Sequence, residues 1–376
     1  MTAKVHFFPL GNADTLRIDL ADGRKLLVDY ADTRNREDEN DLRCDLPEEL
    51  RRDLRKARRD YYDAVCISHI DTDHCKGFGD FFWLEHAKVY QDEDRIKIRD
   101  LWVPAAAVME ENLKGDARLI RAEARHRLKA GKGVLIFSRP ERLKRWMEKN
   151  DIDYESRKHL IVNAGSLVPG YNKEGAAQAE FFIHCPFAWR FDETTVIDRN
   201  EASIVMQVTF REGDHDSYLL LGSDIDHETI SEIVQITRKH SNEDRLLWDL
   251  MKLFHHCSYL ALGPERGTDE TKAVPDVKWL FETQGRGGGT IVSPSWLIPI
   301  KGSKDDEDIQ PPHRQAANHH RRVAKKLDGK FTVTMREPFP SRPRPFGYEI
   351  TAFGVALIVA PPMVSRTAAT HTPRAG

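Results

Sequence analysis

The sequence predicts an α/β sandwich, with two β-sheets packed face to face and helices on the outside. Two observations carry this. Strand-like segments come in two clusters, and each cluster is followed by helical stretches. Several short apolar segments also end abruptly on His or Asp, as strands do when they deliver side chains to one sheet edge. Layout alone leaves other α/β sandwiches open.

The elements follow in order. Val5-His6-Phe7-Phe8 alternates in the strand manner, and Gly11-Asn12-Ala13-Asp14 turns into the strand Thr15–Leu20. Asp22-Gly23 then makes a hairpin with Lys25–Val28, which ends at Asp29. A solvated helix is expected around Leu46–Arg59, and Ala64–Ile67 is a short buried strand ending in Ser68-His69. Helical patterning dominates from about Arg95 to Lys149. Strands return at Glu180–His184, Ser203–Phe210 and Tyr218–Leu221, and helices at His227–Lys239 and Asp244–Leu253. A strand at Gly289–Val292, a helix at Pro312–Leu327 and strands at Lys330–Met335 and Tyr348–Ala352 complete the pattern.

With 376 residues, 40% hydrophobic and 31% charged, the composition is that of an ordinary globular protein. No stretch approaches the ~20 apolar residues a membrane span needs. The N-terminus reads as a strand rather than a signal peptide, so a cytoplasmic protein without membrane contact is expected. Five scattered cysteines without a Cys-x-x-Cys pair argue against both a disulfide framework and a zinc ribbon. A net charge of −3 confines any nucleic-acid affinity to local patches.

The strongest chemical signal is Ser68-His69-Ile70-Asp71-Thr72-Asp73-His74. It sets two imidazoles and two carboxylates within six positions, directly after a buried strand. These groups suit zinc, manganese or iron. The alternative is a solvated polar loop. Tyr218–Leu221 leads to Asp224, and Leu250–Phe254 leads to His255-His256. Three apolar segments ending in His or Asp suggest one shared site.

His-x-Asp-x-Asp-His resembles the metallo-β-lactamase signature, which has histidine where Asp71 stands. The variant with Asp resembles the hydrolase domain of the bacterial competence protein ComEC. Leu10–Asp14, Leu27-Val28-Asp29, Arg199–Val205, Gly222-Ser223-Asp224 and His255–Ser258 resemble further segments of that family, in order. The resemblance implies a four-layer αββα sandwich over residues 1–360, with charged helical insertions at about 33–60 and 95–160. The Thr-, Ala-, Pro- and Arg-rich tail, 361–376, is expected to be disordered.

Carried over, the resemblance puts His69 and Asp71 on one metal and Asp73 and His74 on a second. Asp224 would bridge them, and His255 or His256 would complete the second site. Asn200 stands where the family has a third-motif histidine; His184 is an alternative. Asp71 hardens the first site and shifts preference from zinc toward manganese or magnesium. The expected cofactors are two divalent ions, manganese or zinc. Hydrolysis by a metal-activated water would follow, with Asp73 orienting the water. His313, in Gln310–Arg314, would contact a phosphate or protonate a leaving group.

Between Lys114 and Lys149 there are twelve Lys or Arg against four Asp or Glu. Arg118, Arg121, Arg125 and Lys129 align on one helix face, and His319–Arg322 with Lys325 and Lys326 form a second basic group. Gly285–Gly289 reads as a flexible loop carrying Arg286. Such patches suit a phosphate backbone, and the family resemblance implies DNA as substrate. A nuclease is therefore the leading expectation. The alternatives are a small-molecule ester or phosphodiester hydrolase and a weakly active subunit bound to a protein partner.

Overall fold

Alternation along the strands decides the layers. In the segment 25–28, Leu26 and Val28 point to one interior and Leu27 to another. Ala64 and Cys66 part from Val65, and Leu219 and Leu221 from Leu220, in the same way. Strands with two apolar faces must be covered on both, and a two-sheet sandwich coated with helices does this. The computed structural model describes residues 1–138, 140–186 and 202–359. The expected disordered tail and Asn200 lie outside them.

The first sheet contains β1 (Lys4–Phe7), β2 (Leu16–Asp19), β3 (Lys25–Val28), β4 (Tyr61–Cys66), β5 (Lys97–Pro104), β6 (Val134–Phe137) and β7 (Ile161–Val162). The second contains β8 (Ala179–Cys185), β9 (Val205–Glu212), β10 (His215–Leu221), β11 (Trp248–Lys252), β12 (Gly285–Ser293) and β13 (Lys330–Val333). The chain then returns to the first sheet with β14 (Phe346–Thr351) and β15 (Gly354–Leu357). Strand order is β15-β14-β1-β2-β3-β4-β5-β6-β7 in one sheet and β13-β12-β11-β10-β9-β8 in the other.

The helices are α1 (Leu46–Lys56), α2 (Thr72–Cys75), α3 (Phe78–Phe81), α4 (Ala105–Met109), α5 (Gly115–Ala130), α6 (Pro140–Lys149), α7 (Tyr154–Arg157), α8 (His227–Lys239), α9 (Pro275–Glu282) and α10 (Arg314–Lys326). Leu46, Leu50 and Leu54 of α1 recur every four residues and join Ile120, Ala124 and Leu128 of α5 on the outer face of the first sheet. Ile230, Ile233 and Val234 of α8, Leu280 of α9 and Val323 of α10 cover the second. Phe7, Ile18, Trp102, Phe181, Met206 and Leu219 fill the space between the sheets. The result is the expected αββα sandwich. Among the described residues, no helix is long and apolar enough to cross a membrane.

Three local expectations are corrected. The stretch 95–149 is helical in α4, α5 and α6 but also carries two strands, since β5 and β6 pair in parallel with the first sheet. Asp244–Leu253 is not a helix either. Its apolar run Leu250-Met251 is β11, held between β10 and β12. Gly285–Gly289 is the start of β12 rather than a flexible loop. A Cβ at Gly285 or Gly289 would strike the Trp248 indole, so glycine leaves room for that ring.

The basic face of α5 is also less free than its spacing suggests. Arg121 donates to the Glu110 carbonyl and pairs with Glu111, while Arg125 donates to the Val108 carbonyl and pairs with Glu111. Arg127 is buried, and its guanidinium serves Glu123 and the carbonyls of Ile98, Arg99 and Gly133. Glu123, fully buried, also accepts from the N–H groups of Glu85 and His86. Glu123→Ala removes the buried partner of Arg127, leaving it only the half-exposed Glu85 at 3.2 Å, and is expected to destabilise the fold by about 3 kcal/mol. Chemical denaturation of the variant checks this, and a loss under about 1 kcal/mol would contradict a structural role for the pair.

Candidate metal centre

Parallel pairing places the site. β3 runs parallel to β4, and β10 runs parallel to β11, which runs parallel to β12. Their C-terminal ends therefore lie on one edge of each sheet. Asp29 follows β3, His69 follows β4, Asp224 follows β10, His255 and His256 follow β11, and Pro294 follows β12. The turn between β1 and β2 adds Asp14, whose N–H donates to the Asp73 carbonyl at 3.0 Å.

Three imidazoles share one arrangement. His74 sets its Nδ1 2.9 Å from Asp29 Oδ2. His256 sets its Nδ1 2.8 Å from the Pro294 carbonyl. His69 has its Nδ1 3.2 Å from Ser68 Oγ and 3.3 Å from Ser223 Oγ. In all three rings Nε2 is buried without a hydrogen-bond partner. An imidazole anchored through Nδ1 with a bare Nε2 is the usual posture of a metal ligand.

The carboxylates complete the group. Asp224 Oδ2 lies 3.2 Å from His256 Nε2, and Asp224 Oδ1 lies 3.4 Å from His74 Nε2. Asp73 Oδ2 lies 3.3 Å from His256 Nε2. Ligand atoms of Asp14, His74, Asp224 and His256 all fall within 4.8 Å of one another. Asp224 Oδ1 is buried without a hydrogen-bond partner, while Asp14 faces the Nδ1 side of His74 and His256 and pairs with Lys252, so it stands behind the donors. The donor atoms converge without meeting in hydrogen-bond geometry, as donors around a common point do. The Asp/His set fits a divalent cation.

The electrostatics agree. Burial opposes protonation of His256, but Asp224 and Asp73 outweigh it and hold its pKa at about 10. Burial also opposes protonation of His74, yet Asp224, Asp29 and Asp14 raise it. His69 goes the other way, pushed down to about 4 by burial and by neighbouring His74. Asp73 is held at about 2, burial being outweighed by His256 and His74. The carboxylates thus draw positive charge into the pocket.

The sequence-expected residues divide. Asp73, His74, Asp224 and His256 come together. His69 lies in ring contact with His74, the centroids 3.8 Å apart. Asp71 caps α2 without a side-chain cap bond and is half-buried. His255 stands outside the close group, its Nδ1 buried without a hydrogen-bond partner. His184 is structural, with Nε2 2.8 Å from the Arg245 carbonyl and the ring against Phe182.

His313 is the N-cap residue of α10. Its Nδ1 accepts the Tyr259 N–H at 3.3 Å, and burial, helped by Arg266, lowers its pKa to about 4. Two residues escaped the sequence reading. Asp14 looked like a turn residue, and Lys252, fully buried beside it, looked like part of an apolar run. A lone cation inside that run was the available signal.

His255, His256 and Cys257 all adopt positive φ, at 44°, 48° and 67°. Side chains rarely take this conformation, and such runs cluster at functional sites. They turn the chain at the end of β11, so that adjacent histidines face different surroundings.

These features define a class: an αββα sandwich with a buried Asp/His donor pocket at the sheet edge. No family model matches the chain, and no curated protein matches it. Solved structures similar to it include unliganded yeast PDE1, at 10% identity over 88% of this chain and 97% of that one, with a TM-score of 0.43. A diphosphatase from the PhnP family is 11% identical over 84% and 96%, with a TM-score of 0.31. Tm1679, a metal-dependent hydrolase of the β-lactamase superfamily, is 8% identical over 91% and 98%, with a TM-score of 0.38.

Proposed function

We propose that this chain is a metal-dependent hydrolase of phosphodiester bonds. The observation that carries the reading is the set of three anchored imidazoles with bare, buried Nε2 atoms beside Asp224. Asp73, His74, Asp224 and His256 would hold a divalent cation, and His69 with Asp71 would serve a second. A bound cation there supplies Lewis acidity and a water acidified toward neutrality. Asp73, whose side chain is the most solvent-exposed of the close carboxylates, would orient the attacking water. Burial of His69, His74 and His256 keeps bulk water from competing for their lone pairs.

DNA is the proposed polymer, with Arg118 and Lys129 exposed on α5 to meet its backbone. One set of observations favours a small phosphodiester instead. Arg322 and Lys326 pair with Glu282, Arg322 also pairs with Glu270, and Arg286 pairs with Asp249. Much of the expected basic surface is thereby neutralised.

The test is cleavage of linear DNA, circular DNA and bis(p-nitrophenyl) phosphate by stripped protein with Mn²⁺, Mg²⁺ or Zn²⁺ restored. Manganese is expected to activate best, since the donors include several hard carboxylates. Zinc as sole activator would overturn that preference. Cleavage of the small ester alone would move the reading from nuclease to small-molecule phosphodiesterase. No cleavage of any of the three, with metal bound, would overturn it.

A further inference from the structure

Beneath the donor group lies a buried amine. Lys252, the last residue of β11, is 2% exposed. Its Nζ pairs with Asp14 and donates to the Gly222 carbonyl at 2.7 Å. These contacts tie three segments together: the β1–β2 turn, the chain just before Asp224, and β11. Asp14 in turn faces two of the imidazoles, with Oδ2 3.6 Å from His74 Nδ1 and Oδ1 4.0 Å from His256 Nδ1.

Both of those ring nitrogens already have partners, Asp29 for His74 and the Pro294 carbonyl for His256. Without the amine, Asp14 would be a buried carboxylate lacking its cation. The nearest replacements are the two Nδ1 groups. Drawing either one toward Asp14 turns the ring and swings its Nε2 off the shared point.

We propose that the Lys252–Asp14 pair is a positioning device for the metal ligands. The amine holds the Asp14 carboxylate away from His74 and His256, so both rings keep Nε2 aimed into the pocket. Lys252 acts through Asp14 and is not itself a ligand. The inference rests on reading the pocket as a divalent-cation site.

Mn²⁺ titration calorimetry on the stripped full chain tests it, with the chelator-treated melting midpoint as a check on folding. Lys252→Met is expected to weaken Mn²⁺ binding about tenfold to a hundredfold. Adding Asp14→Asn to Lys252→Met is expected to recover most of that loss, because no carboxylate is left to restrain. A double variant as weak as the single one would overturn the proposal, since a pair that merely ties the sheets together would not be rescued. If Lys252→Met does not fold, Asp14→Asn with and without Lys252→Met carries the test. Equal affinity of those two supports the restraint, and a further loss of about tenfold on removing the lysine overturns it. A wild-type chain that binds no Mn²⁺ would instead remove the reading of the pocket, and this inference with it.

Discussion

Asp224→Ala is expected to abolish hydrolysis, with kcat/KM falling at least ~1,000-fold, the loss of several kcal/mol of charge stabilisation. Asp224 is the carboxylate on which the pocket closes, with one oxygen toward His74 Nε2 and the other toward His256 Nε2. Its removal leaves two buried imidazoles facing each other without the anion between them. Metal content, measured by elemental analysis of the purified variant, should fall together with activity. Substitution of the two adjacent histidines sharpens the test. His256→Ala should follow Asp224→Ala, whereas His255→Ala should keep its metal, because His255 stands outside the close group. Equal loss of metal from both histidine variants would contradict this assignment.

The second large effect is expected from a residue that touches no metal. Asp29 Oδ1 accepts the Ser68 N–H at 2.6 Å, while Oδ2 accepts the Ser68 hydroxyl at 2.8 Å and meets His74 Nδ1 at 2.9 Å. In the neutral ring that would bind a cation, an ionised Asp29 fixes the remaining His74 proton on Nδ1 and leaves the Nε2 lone pair for the ion. In Asp29→Asn the amide group faces Nδ1, donor against donor, and the ring is driven to the opposite tautomer. Nε2 then carries the proton and cannot ligate. Metal affinity is expected to fall about tenfold to a hundredfold. Calorimetric titration decides the matter, and an unchanged affinity would show that the tautomer is fixed by something other than Asp29.

The sandwich was legible because burial patterns are local. Leu26, Leu27 and Val28 give a strand with two apolar faces, and the sheets follow from several such strands. The motif Ser68–His74 was legible because a polar run after a buried strand is conspicuous. The misreadings have physical causes as well. Leu250 and Met251 sit in a run short enough to fit either helix or strand, and only pairing with β10 and β12 resolves it. Arg121 and Arg125 have the spacing of a free basic face, yet their guanidinium groups are taken by Glu111 and by the carbonyls of Glu110 and Val108, which sequence spacing does not reveal. The glycines of β12 look like a loop until the Trp248 ring that needs their space is known. Asp14 and Lys252 are far apart in sequence, so their pairing is a property of the closed sandwich alone.

The three anchored imidazoles are not equivalent, because their anchors differ: a full anion behind His74, a peptide oxygen behind His256, and two hydroxyls behind His69. A more negative anchor pushes electron density toward the far nitrogen, so the rings form a graded series of bases. His74 is the firmest grip, His256 is intermediate, and His69 is the one that yields. A cation held by His74 and His256 would therefore be gripped harder than one held by His69, so the two positions of the pocket would differ in how readily they empty. Under a weak chelator the His69 side would empty first, while a cation between His74 and Asp224 would remain.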